Sequence, residues 1–180
     1  MKTTAAAAPV LGLENVTIRD RRRIVCHDIT LSVPSGSAYV LLGGPGSGKT
    51  SLVGCLLGEE KPAEGAAFLF GQPSRKLSRE ALSEVGIVSE ELDARPRQSA
   101  RDLAEARRKR APRWDSEAFE ARLARFGIPA ETPFRELTPL RKRQLALALA
   151  MGPAPRLLVI DEPSTGTEPK GRSAIWSEIA

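Results

Sequence analysis

The chain is poor in the residues that disulfide scaffolds, metal clusters and membrane spans are made from. Two cysteines, Cys26 and Cys55, cannot form a disulfide framework and suit a reducing compartment. One histidine, His27, with no Cys/His cluster beside it, argues against a structural zinc site. Its plain reading is a partly buried strand histidine. No apolar run approaches the roughly 18 residues needed to cross a bilayer, so the chain is not an integral membrane protein by itself. Aromatic residues make up only 4%. None lies in the densest basic run, which removes the platform on which bases would stack.

What remains is the composition of one packed domain. The 180 residues are 41% hydrophobic and 27% charged, enough apolar surface for a core and too short a chain for two ordinary domains. Net charge is +5, and residues 72–144 carry all of it, with 17 Lys/Arg against 12 Asp/Glu. The densest stretch is Arg107-Arg108-Lys109-Arg110. It reads either as a surface for nucleic acid or acidic lipid, or as a solvated helix face with Asp102 and Glu105 interleaved. The missing aromatics favour the solvated face and make nucleic acid an unexpected partner. At the start, one lysine and four consecutive alanines precede Pro9. Glu14 and Asn15 follow too soon for a cleaved leader, which leaves a frayed tail.

Apolar patterning predicts strands over 11–18 and 24–33 around an Arg21-Arg22-Arg23 turn, then at 65–70 and 85–89. Residues 38–42 (AYVLL) form a short continuous apolar run, the pattern of a strand buried on both faces. It leads into a glycine-rich loop and a helix over 49–57, stopped by Gly58. Helices follow over 99–111 and 115–126, separated by Pro112, the second capped by Gly127. Another spans 138–151, with Thr138 as N-cap and Pro139 in its first turn. Residues 156–160 return to a buried strand, and a last helix begins near Lys170.

Gly43-Gly44-Pro45-Gly46-Ser47-Gly48-Lys49-Thr50 matches G-x-x-x-x-G-K-[ST] in full, between an apolar run and a helix. Backbone N–H groups converge on phosphate oxygens only where side chains are absent and φ is free. The helix start adds its positive dipole end. Lys49 then reaches the β- and γ-phosphates, and the Thr50 hydroxyl is placed to coordinate Mg²⁺. Leu157–Ile160 followed by Asp161 and Glu162 is a hydrophobic strand ending in acids. Asp161 would hold Mg²⁺, and Glu162 would orient or deprotonate an attacking water.

At these residues the chain resembles the nucleotide-binding subunit of an ABC transporter, over nearly its whole length. Gly43 to Ser51 resembles the family's Walker A motif, and Asp161-Glu162-Pro163-Ser164-Thr165-Gly166 its Walker B and D-loop start. Residues 145–150 resemble the helix after the signature sequence. Residues 113–128 are similar to the helical subdomain of exporter-type ATPases, the branch linked to drug and antibiotic export. The resemblance implies an α/β P-loop NTPase fold: a three-layer core with a mainly parallel sheet, a β-rich N-terminal part and an inserted helical subdomain. It divides the single domain into 10–89, 90–145 and a returning core at 146–180. It further implies ATP and Mg²⁺ as ligands, a homo- or heterodimer of such subunits, and a separate membrane permease reached through residues 90–98 and the helical insertion. The place would be cytoplasmic, at the inner face of the cell membrane.

Several positions depart from the family pattern. No aromatic stands near Arg19 or Asp20 to stack on adenine, and Tyr39 is too close to the phosphate loop to replace it. Glu90 aligns with the Q-loop glutamine and would ligate Mg²⁺ as a carboxylate. Leu137-Thr138-Pro139-Leu140-Arg141 replaces L-S-G-G-Q, and Glu168 replaces the D-loop aspartate. The switch histidine, expected on a strand beyond the last helix, has no counterpart in these 180 residues. Two main readings follow: an ATPase that powers export, or a degenerate cassette that binds ATP but turns over poorly. A small-molecule kinase would need an arginine-rich lid, for which only residues 107–113 qualify. A role on ribosomes or DNA is disfavoured by the single cassette.

Overall fold

A computed structural model describes residues 9–21, 23–89, 92–111, 113–160 and 177–178. The chain divides into two compact units, 1–81 and 82–180.

The first unit is built on a four-stranded antiparallel sheet in the order β2-β1-β3-β4. Its strands are β1 (Pro9–Asp20), β2 (Arg23–Pro34), β3 (Glu64–Leu69) and β4 (Gln72–Pro73). Leu11, Leu13, Val16 and Ile18 are buried along β1, because it lies between two neighbours. The β1–β2 ladder shifts register near Asn15 and Asp28, both at positive φ (49° and 51°). Their side chains are joined by Asn15 Nδ2 donating to Asp28 Oδ1 at 2.9 Å. The result is an irregular hairpin, its ladder broken by bulges. Helix α1 (Lys49–Leu57) packs on β1 and β3 and buries Leu52, Cys55 and Leu56. It ends at Gly58, whose left-handed backbone (φ 78°) directs its N–H to Cys55 and Gly54 carbonyls, the helix stop that the sequence announces.

Two expectations for this unit fail. Residues 38–42 are irregular, with Tyr39, Val40 and Leu42 59%, 66% and 89% exposed. An apolar run becomes a strand only where a neighbour takes up its backbone groups, and no described ladder includes this one. His27 lies on β2 but is exposed, not partly buried. It falls on a stretch of β2 whose neighbours Asp28 and Arg23 also face solvent.

Between β4 and the second unit runs a short helix, α2 (Arg79–Ser83). The second unit then pairs β5 (Val85–Val88) with β6 (Leu157–Ile160) in parallel, from Val85↔Leu157 to Val88↔Ile160. This separate two-stranded sheet holds the parallel pairing seen among the described residues. Helices α3 (Ala100–Arg108), α4 (Ser116–Phe126) and α5 (Pro139–Met151) form the rest. Helix α5 is buried all round from Gln144 to Ala150, as a helix apolar on every face must be. It packs on β5, α3 and α4. Leu103, Phe119, Leu123, Ile128, Leu145 and Leu149 share its core. Each such side chain contributes roughly 1.5–3 kcal/mol by leaving water.

The caps follow the sequence closely. Ser99 and Asp102 close a reciprocal capping box on α3, Asp115 caps α4, and Gly127 (φ 62°) ends it. Helix α3 stops at Arg108, short of the expected 111, and two further turns carry the chain on. Glu178 accepts from Arg122 Nε (2.9 Å) and Arg125 Nη2 (2.6 Å), which ties the helical turn at 177–178 to α4. The rest of the helix expected from Lys170 lies outside the described residues, as does Pro112.

Candidate phosphate-binding site

The glycine-rich segment folds as two linked devices. Ser47 N donates to Gly44 O at 3.2 Å, closing a four-residue turn with Pro45 second and Gly46 third. Gly46 has φ 73°, as the third residue of a proline-led type II turn requires. Gly48 then serves as N-cap of α1 at φ 89°. A Cβ there would lie 2.6 Å from Val25 Cγ1 and 2.7 Å from Cys26 Sγ, because β2 runs directly beneath. Only glycine satisfies both the backbone and the space. At Gly44 and Gly46 an added Cβ would meet nothing within 4 Å, so this side of the loop is open to a ligand.

Helix α1 leaves its first amides unanswered. Gly48 makes no side-chain cap hydrogen bond, and the first intrahelical bond runs from Leu52 N to Gly48 O at 2.8 Å. The N–H groups of Lys49, Thr50 and Ser51 therefore have no acceptor among the described residues. Unsatisfied donors at the positive end of a helix favour an anion. Lys49 Nζ donates to Gly43 O at 2.7 Å and to Gly44 O at 3.1 Å, so its charge is held at the loop. Thr50 is exposed on the first turn and Ser51 is half-buried. Beneath the loop, Cys26 Sγ sits 3.9 Å from Ser47 O. Cys55 is buried on α1, and desolvation pushes its thiol pKa up, with Glu60 and Cys26 adding to it.

The structure brings Gly43, Gly44, Pro45, Gly46, Ser47, Gly48, Lys49, Thr50 and Ser51 into one loop and helix start. Asp161, Glu162 and Glu90 lie outside the described residues, as does Glu168. The two strands that lead toward Glu90 and Asp161 end side by side, at Val88 and Ile160. At the altered signature, Leu137 is buried and Thr138 caps α5 by accepting from Arg141 N at 3.3 Å. Pro139 is the first residue of that helix, Leu140 is half-buried and Arg141 is exposed. Sequence reasoning missed the Cys26 support beneath the loop. No spacing rule links residue 26 to residue 48.

A glycine loop, a lysine and an open helix start together make the pattern of a P-loop. A profile of the family described as ABC transporter matches residues 26–165. The chain is 32% identical over 179 residues to the Nod factor export ATP-binding protein I of Burkholderia orbicola, covering 97% of this chain and 59% of that protein. It is 31% identical to the protein of the same name from Sinorhizobium fredii, over 94% and 51%. It thus spans between half and three-fifths of the length of these curated relatives. Among solved structures, an ATP-binding subunit of an ABC transporter superposes with TM-score 0.82 at 18% identity, over 94% of this chain and 73% of that one. A bacterial Atm1-family ABC exporter with ATP bound gives 0.80 at 20%, over 99% and 34%. The chain belongs to the ABC transporter family, as its nucleotide-binding domain. Among the described residues no helix is long and apolar enough to cross a membrane.

Proposed function

We propose that this domain binds Mg–ATP at Gly43–Ser51 and hydrolyses it, as one of two such subunits, to power export through a separate membrane permease. The observation that carries this reading is the start of α1: three amides with no acceptor among the described residues, beside glycines at φ 73° and 89° and a lysine held at the loop. The open sides of Gly44 and Gly46 fit phosphate oxygens. Export follows the names of the relatives, and the permease and dimer follow the family.

Each residue has a role in this reading. The amides of the loop and of Lys49 to Ser51 bind phosphate oxygens. Lys49 leaves the carbonyls of Gly43 and Gly44 for the β- and γ-phosphates. Thr50 and Asp161 would hold the metal, with Glu90 as a third ligand. Magnesium supplies neutralisation of the phosphate charge. Glu162 orients water for attack and takes its proton. Residues 90–98 and the adjoining part of the helical insertion would meet the permease at the cytoplasmic membrane face.

Turnover is slow on this reading. Pro139 has no N–H, and Lys142 N is already satisfied by Thr138 O at 2.9 Å. Arg141 N is engaged by the Thr138 side chain. Helix α5 therefore offers a partner's γ-phosphate little beyond the Leu140 amide. One lost donor of this kind costs about 10²–10³ in rate. Single-turnover hydrolysis by the purified protein and by Glu162→Gln tests the assignment. The unaltered protein is expected to be clearly faster. Equal rates would overturn hydrolysis at this site while leaving binding intact.

A further inference from the structure

We propose that Arg107-Arg108-Lys109-Arg110 form a docking corner for an anionic phospholipid surface. The inference rests on family membership and goes beyond nucleotide chemistry. Its premise is that no described carboxylate neutralises these cations. Of the two interleaved acids, Asp102 is occupied at the opposite end of α3. Its Oδ2 accepts from Ser99 N (2.8 Å) and Ser99 Oγ (3.0 Å). Glu105 stands four residues before Lys109, a spacing that supports ion pairs, and forms none with the run. Several other cations of the same unit have partners. Arg101 pairs with Glu131, Arg113 and Arg156 share Glu84, Arg122 and Arg125 share Glu178, and Lys142 lies over the Phe134 ring.

Helix electrostatics account for only half of the run. Arg107 and Arg108 lie in the last turn of α3 and complement its negative end. Lys109 and Arg110 lie beyond it. Arg107 is half-buried, and desolvation lowers its pKa with no carboxylate offsetting it. Arg108, Lys109 and Arg110 are exposed. Nor is the corner a loose tail. Arg110 N donates to Arg107 O, Ala111 N to Arg108 O, and Trp114 N to Ala111 O. Asp115 N then donates to Gly152 O at 2.8 Å, and Trp114 packs on Phe119. The cations are displayed on a pinned turn.

A lipid surface fits better than nucleic acid. Among the described residues of this unit, Trp114, Phe126 and Phe134 are half-buried and Phe119 is buried. None is free to stack on a base. Anionic headgroups need only a concentration of positive charge, and each Lys/Arg near the surface is worth about fivefold in partitioning. A domain of a transporter family works beside such a surface.

The test is sedimentation of the purified chain with vesicles of phosphatidylcholine alone or mixed with phosphatidylglycerol. Binding is expected only to the mixed vesicles and is expected to weaken as salt rises. The variant R108Q/K109Q/R110Q should lose on the order of a hundredfold in partitioning, with unchanged melting temperature and ATP affinity. The control R75Q/K76Q/R79Q removes the same net charge elsewhere and should bind nearly as the parent. Equal losses in both variants, or equal binding to both vesicle types, would overturn the proposal. So would tighter binding of duplex DNA or RNA through the same three residues.

Discussion

Helix α1 begins at Gly48 with no side chain over its first amides, whereas α5 begins at Thr138, whose hydroxyl accepts from Arg141 N at 3.3 Å. The amides of Lys49, Thr50 and Ser51 are left open at the first site. At the second, proline removes one donor and the cap takes another. Helices α3 and α4 follow α5, each closed by its own Ser99 or Asp115. Local stability is served by a cap worth about 1 kcal/mol, so a helix that forgoes one keeps its amides for something else. The contrast separates a helix start shaped for an anion from one shaped to stabilise the fold.

The largest expected effect breaks the open end. Lys49→Ala should abolish ATP hydrolysis or reduce it by at least about 10²-fold, the scale of a lost charge-stabilising donor. It should barely move the melting temperature, since the lysine bonds only exposed loop carbonyls. Isothermal titration with Mg–ATP and a phosphate-release assay check it. Unchanged affinity and rate would remove the loop from the chemistry. Next, opening the closed end should raise activity. Pro139→Gly with Leu140→Gly restores amides and backbone access at α5. Steady-state turnover is expected to rise by about 10-fold or more on the donor scale.

A smaller effect concerns stability alone. Thr138→Ala should cost about 1 kcal/mol in urea unfolding and leave ATP affinity unchanged. An equal loss of affinity would mean that the two helix starts are not functionally distinct. The smallest is a pH effect at the capping box of α3. Hydrogen bonds from Ser99 backbone and side chain hold the Asp102 carboxyl below its usual 3.8. A depressed folded-state value means the contribution is present above the unfolded value and lost as pH falls through the folded one. Asp102→Asn should therefore narrow the gap to the parent only in melts taken below about pH 4.

The legible parts of the sequence were those whose cause is local. Helix α1 has the expected bounds because Gly48 and Gly58 flank it, and Thr138, Pro139 and Gly127 act where their chemistry places them. The β5 and β6 strands read correctly from short β-branched runs. What escaped was non-local. AYVLL has the composition of a buried strand, but composition cannot name the neighbour that would pair with it. The Asn15–Asp28 link joins two bulges thirteen residues apart, which no periodicity reveals. Exposure of His27 depends on which part of β2 is covered. At the site, the glycines and Lys49 were readable as a motif, whereas Cys26 beneath Gly48 is a packing fact.

The bonds from Lys49 Nζ to Gly43 O and Gly44 O have a consequence for selectivity. The ammonium group props the loop while resting on two weak, neutral acceptors. A newcomer must offer oxygens that attract the cation more strongly than peptide carbonyls do, and a polyanion can. An uncharged nucleoside cannot, so adenosine without its phosphates would leave the lysine where it stands.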